Sequence, residues 1–174
     1  MLSVAVGAER VRVPIARERV RRLATGVLRA EGIRDALVSI AFVTPHTIAR
    51  LNRRHLRHHG ATDVIAFAFA PHHRATAARD GGKRNDGLVG DVYVAPSVAR
   101  QNAARWGVGV REELTRLVVH GLLHVIGYDH AGADRVNSVM WRRQEELVRA
   151  FARPRKGKGE RREEKRTTAN REDA

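Results

Sequence analysis

Apolar positions along the chain fall into stretches with two distinct periods. Residues 2–6 alternate weakly, as a short strand would. Pro14 suits the first turn of a helix. After it Ile15, Val20, Leu23, Val27 and Leu28 recur near helical spacing, with arginines opposite, as far as Gly32. Residues 36–43 are apolar and rich in β-branched side chains, the pattern of a buried strand. Thr44 and Pro45 then offer a helix cap and a first-turn proline. The helix they start turns Ile48, Leu51 and Leu56 inward. It ends in a basic tip of Arg53, Arg54, His55, Arg57, His58 and His59, closed by Gly60.

Two further strands are predicted over residues 62–69 and 88–94. Residues 71–87 between them, rich in glycine and charge, read as a mobile loop of hairpin type. That setting argues against metal binding by His72 and His73. A short helix over 96–106 should stop at Gly107, and a more apolar one begins at Val110. Residues 134–151 form an amphipathic helix through Val136, Val139, Met140, Leu147, Val148 and Phe151. Strands mixed with helices predict an α/β (α+β) layer fold of one domain. The two strands nearest in sequence suit antiparallel pairing and the helical crossovers permit parallel pairing, so the small sheet should be mixed. Past Pro154 almost nothing apolar remains, which predicts a domain over 1–152 and a disordered basic tail over 153–174.

Composition narrows the chemistry. A chain of 174 residues, 43% hydrophobic, is long enough to bury the core of a single domain. No apolar run approaches the roughly 20 residues of a membrane span, and the first residues lack a leader pattern, so a cytoplasmic location is expected. Cysteine is absent, leaving histidine and carboxylates as metal ligands. The net charge of +14, much of it arginine, points to a polyanionic partner, with nucleic acid first.

The most specific signal is His120, His124 and His130, with Gly127 between the last two. Residues four apart on a helix share a face, so His120 and His124 stand one above the other. Gly127 permits the left-handed step that ends a helix, after which His130 can return to the same point. Three imidazoles around a divalent ion leave one position open, the catalytic form of a zinc site. The spacing matches the metallopeptidase motif H-E-x-x-H-x-x-G-x-x-H, but Gly121 stands where that motif has its glutamate base. Without that base, and with so cationic a chain, phosphodiester hydrolysis fits better than peptide hydrolysis. Asp63 reads as a turn cap or ligand-orienting group, Asp91 as a loop end where a strand begins, and Asp129 as an acceptor for the second N–H of a ligating histidine.

Four segments carry a family resemblance: Leu51-Asn52, residues 62–67, residues 90–94, and residues 120–130, with Met140 and Glu145-Glu146 in the closing helix. Together they resemble the bacterial YbeY family of rRNA maturation endoribonucleases. The resemblance implies a single-strand-specific, metal-dependent endoribonuclease that processes the three-prime end of small-subunit rRNA and acts in ribosome quality control. It implies one Zn2+ ion on His120, His124 and His130, and RNA, the small ribosomal subunit and ribosome-associated proteins as partners, with no small-molecule cofactor. Many family members carry a catalytic arginine four residues after the Leu-Asn asparagine. Here Leu56 holds that place, with Arg57 adjacent as the candidate phosphate contact. Ala61 and Ala66 stand where proline and serine are usual. Two readings remain beside this one: a peptidase-like hydrolase with a displaced base, and a non-catalytic ribosome-associated protein whose zinc is structural.

Overall fold

The computed structural model describes residues 1–56, 60–70, 87–129 and 138–152. Four strands, β1 (Leu2–Ala8), β2 (Ala36–Phe42), β3 (Val64–Ala70) and β4 (Leu88–Val94), form one sheet in the order β1-β2-β4-β3. β1 pairs parallel with β2 and β2 parallel with β4, while β3 runs antiparallel to β4 along the edge. This is the single-domain mixed sheet that the apolar periods predict.

Helices α1 (Arg17–Ala30), α3 (Pro96–Trp106), α4 (Val110–Ile126) and α5 (Val139–Ala152) accompany it. α4 is the hub, packing on β3, β4, α1, α3 and α5. Its leucines at 114, 122 and 123 are fully buried, together with Val92, Val94, Leu28 and Met140. Burial on nearly every side explains why its apolar residues run around the helix instead of forming one stripe. On the far side of the sheet, α2 (Pro45–Leu51) covers a smaller cluster of Val43, Ile48, Ile65 and Ala95.

The helix starts divide by cap chemistry. Thr44 caps α2 as expected, its hydroxyl accepting from the Thr47 N–H at 3.1 Å. α1 begins at Arg17 and not at Pro14; extended Ala16 precedes it, with no side-chain cap to announce the boundary. The described part of α5 begins at Val139, where the Ser138 hydroxyl accepts from the Trp141 N–H at 3.1 Å. After α2 the backbone widens into a π-type turn over Asn52–Leu56 that the side-chain pattern does not signal. Buried Asn52 ties this turn to the returning chain by donating its amide to the Gly60 carbonyl at 3.1 Å.

Helix α4 lies so close to the sheet that two glycines are required at the contact. A Cβ on Gly121 would stand 2.5 Å from Val92 Cγ1, and one on Gly90 2.4 Å from Val125 Cγ1 and 2.7 Å from the Phe67 carbonyl oxygen. Gly121→Ala should therefore destabilise the fold by about 1–3 kcal/mol. A chain of this size then loses on the order of 3–10 °C in melting temperature. Val92→Ala in the same chain should restore part of the loss; an unchanged melting curve for Gly121→Ala would show that the contact has room to spare.

Candidate functional site

α4 carries His120 and His124 on the face turned towards edge strand β3. Gly121, pressed against Val92, fixes how the helix is rotated. The two imidazoles meet edge to face with their Nε2 atoms 3.2 Å apart. Each ring is held from its far side. His120 Nδ1 lies 2.8 Å from the Gln144 side-chain oxygen, and His124 Nδ1 lies 3.0 Å from the Tyr128 carbonyl. Those oxygens only accept, so both Nδ1 atoms carry a proton, and the two Nε2 atoms are left facing each other at hydrogen-bond distance. Gln144 cannot turn its amide round without loss, because its NH2 donates to Glu145 at 3.1 Å.

Both outer partners are anchored in turn. Glu145 accepts from Arg116 at 3.0 Å, and the same guanidinium reaches Glu112 at 3.0 Å and Glu113 at 3.2 Å. Burial pushes the Glu145 carboxyl up, but the bonds from Arg116 and Gln144 and the charges of Arg116 and Arg149 outweigh it and leave its pKa lowered. For Glu113 burial dominates over the Arg116 contact, and its pKa is raised. On the other side, Glu31, its side chain 1% exposed, accepts from the Tyr128 hydroxyl at 2.7 Å and from Arg143 at 2.6 Å. Two chains of hydrogen bonds thus end on the two rings: Arg116–Glu145–Gln144–His120 and Arg143–Glu31–Tyr128–His124.

Gly127 closes α4 in the left-handed conformation at φ 103°, as the spacing predicts. His130, which should follow it back, lies outside the described residues, as do Arg57, His58, His59, His72 and His73. Among the described residues no group of three histidines or carboxylates comes together as a metal cluster. The donor set that is present nonetheless suits a divalent ion of the zinc type. Two imidazoles bring their Nε2 atoms to one place, and their outer N–H groups are already bonded. The place opens into a cleft of about 480 Å3 between β3 and α4, lined also by Tyr128 and Asp129.

Of the carboxylates, Asp63 and Asp91 take structural roles. Asp63 is a turn cap, accepting from the Val64 N–H at 2.9 Å and clamping Asn102 of α3 at 2.9 Å. Asp91 does not end a loop. It sits within β4, accepting from Ser39 across the sheet and from the Tyr93 hydroxyl at 3.2 Å, while burial and that carboxylate raise the tyrosine pKa. Asp129 is not the outer partner of His120 or His124 Nδ1, since Gln144 and Tyr128 fill those places. The sequence reading missed Gln144. Its signal was a polar residue set among Met140, Leu147 and Val148 on the apolar face of a helix, where it is 2% exposed. His46, Arg50 and Arg53 line a small basic hollow of about 100 Å3 with Ala49 and Gly60.

Fold and site together define an α+β protein built around a helix-borne imidazole pair. A family model described as endoribonuclease YbeY matches residues 6–152, and the chain belongs to that family. Proteins named endoribonuclease YbeY are similar along most of the chain. The one from Bifidobacterium adolescentis is 36% identical over 124 residues, covering 71% of this chain and 66% of its own length. That from Thermobifida fusca is 34% identical over 142 residues, covering 81% and 89%. That from Geobacter metallireducens is 33% identical over 129 residues, covering 74% and 81%. A solution structure of a Thermotoga maritima protein superposes with a TM-score of 0.56 over 89% of this chain and 99% of the other, at 23% identity, a likeness of fold.

Two predictions test the supports of the pair. Gln144→Leu should weaken divalent-metal binding about 10- to 100-fold in a chelator competition; affinity equal to the parent's would show that Gln144 does not orient His120. The second concerns acid. Glu145 has a folded pKa below its unfolded value, so its contribution is complete above the unfolded pKa and disappears as pH falls through the folded one. Glu145→Gln should therefore show a shallower fall in melting temperature than the parent between pH about 5 and about 3. Parallel curves would contradict the lowered pKa.

Proposed function

We propose that this chain is a zinc-dependent endoribonuclease that cuts single-stranded RNA. Its role would be rRNA maturation at the three-prime end of the small-subunit rRNA, and ribosome quality control. The observation that carries this reading is the convergence of two Nε2 atoms, each ring fixed from behind, in a chain of this family. His120, His124 and His130 would hold one Zn2+ ion. The chemistry such an ion supplies is Lewis acidity towards a phosphoryl oxygen and a water made acidic enough to act near neutral pH.

The remaining work falls to the chain's own side chains. Gln144 and the Tyr128 carbonyl keep the imidazole protons on Nδ1, so the nitrogens facing the cleft stay basic. Glu31 and Arg143 hold Tyr128 in place, which fixes the backbone leading towards His130. Gly121 keeps α4 against the sheet and offers no carboxylate, so the attacking oxygen does not lose its proton to that position. Arg57, with exposed Arg50 and Arg53 nearby in sequence, would take the phosphates of the bound strand, which the +14 charge draws in. The catalytic unit would be residues 1–152, with the basic segment 153–174 adding unspecific RNA affinity, and the protein would act in the cytoplasm beside ribosomal partners. Among the described residues no helix is long and apolar enough to cross a membrane.

Purified protein should cleave single-stranded RNA, lose the activity to a chelator and regain it with zinc. His124→Ala should lower cleavage by more than about 100-fold, beyond the usual effect of losing an outer partner of a ligand, while the chain stays folded. Chelator-sensitive cleavage of casein with RNA left intact would replace this reading with a peptidase. RNA untouched by the parent protein, with His124→Ala unfolding, would replace it with a structural zinc.

A further inference from the structure

A second cleft, of about 690 Å3, adjoins the histidine cleft, and Val64 and His120 line both. The chain has two tryptophans, and both line this second cleft, Trp106 from the end of α3 and Trp141 from the first turn of α5. Trp106 is 67% exposed, so its indole is not spent on the core. The Arg105 guanidinium lies over one face of the ring, 5.4 Å from the centroid, so a base would stack on the other. Resting on the reading of the substrate as single-stranded RNA, we propose that this cleft is a nucleobase subsite. It would seat an unpaired base of the strand whose phosphate lies at His120 and His124.

Charge decides between base and phosphate as the occupant. Asp63, Glu113 and Glu145 line the cleft, and its one guanidinium, Arg116, is already bonded to Glu112, Glu113 and Glu145. A phosphate would meet carboxylates with no uncommitted cation among these lining residues. A base presents no charge, and stacking on indole tolerates any base. The indole N–H groups can donate and the carboxylates accept, so the lining offers both kinds of partner to the edge of whichever base stacks there. The volume is within the range of small-ligand pockets and accommodates a purine.

Because both tryptophans line the cleft, intrinsic fluorescence reports on it directly. Hexanucleotides of adenosine, cytidine and uridine should be titrated into the full-length protein before cleavage accumulates, following quenching together with anisotropy of a five-prime dye. All three strands should quench as they bind, because stacking tolerates any base. Trp106→Ala should weaken their binding about tenfold, with Trp106→Phe restoring most of it. Strands that bind by anisotropy without quenching, and equally well to Trp106→Ala, would overturn the subsite and leave the RNA reading intact. If no strand binds the parent protein at all, the RNA reading itself fails and the subsite with it.

Discussion

Two imidazole nitrogens held 3.2 Å apart, each ring bonded from behind, are the constraint around which this molecule is arranged. The pair is held by a hydrogen bond on the outer side of each ring, and those bonds hold only because their acceptors are themselves fixed. Gln144 is fixed by Glu145 and Arg116, and Tyr128 by Glu31 and Arg143. The supports come from α1, α4 and α5, elements far apart in sequence, so the tertiary fold itself sets the tautomer of each histidine. Two imidazoles oriented in this way are the kind of donor pair that a divalent cation takes.

The same helix that bears the pair also explains what is missing from it. α4 approaches the sheet to the limit that Gly121 and Gly90 allow. A glutamate at position 121, as in the peptidase motif, would drive its Cβ into Val92. The absence of a base there is therefore a packing requirement of this fold as well as a difference in chemistry. Close approach also presents His120 and His124 at β3, the sheet's edge, where two clefts meet at Val64 and His120. Acidic groups gather on the tryptophan side and basic ones on the α2 side, around His46, Arg50 and Arg53. A strand lying across the edge would then meet different chemistry for its bases and for its phosphates.

Legibility in the sequence followed the physics of each signal. β4 and α3 could be bounded to the residue because alternation, Pro96 and left-handed Gly107 are local marks. The histidine helix and Gly127 were legible for the same reason. The start of α1 was not, because Ala16 caps with backbone alone and Pro14 offered a false mark. The role of Asp91 was misread since its partner Ser39 lies on another strand, 52 residues away. Tyr128 supports His124 through its backbone carbonyl, which no side-chain pattern encodes. Gln144 was visible in principle as a polar intruder on an apolar stripe, but its meaning needed α5 to be laid beside α4.

The central claim is most directly tested by the histidine ring nitrogens themselves, through 15N-detected two-bond correlations of the full-length protein with and without one equivalent of zinc. For the metal-free protein, His120 and His124 should show the Nδ1–H tautomer near neutral pH, and zinc should shift their Nε2 resonances while leaving Nδ1 protonated. Finding either ring as the Nε2–H tautomer, or Nε2 resonances that zinc leaves unmoved, would contradict the account.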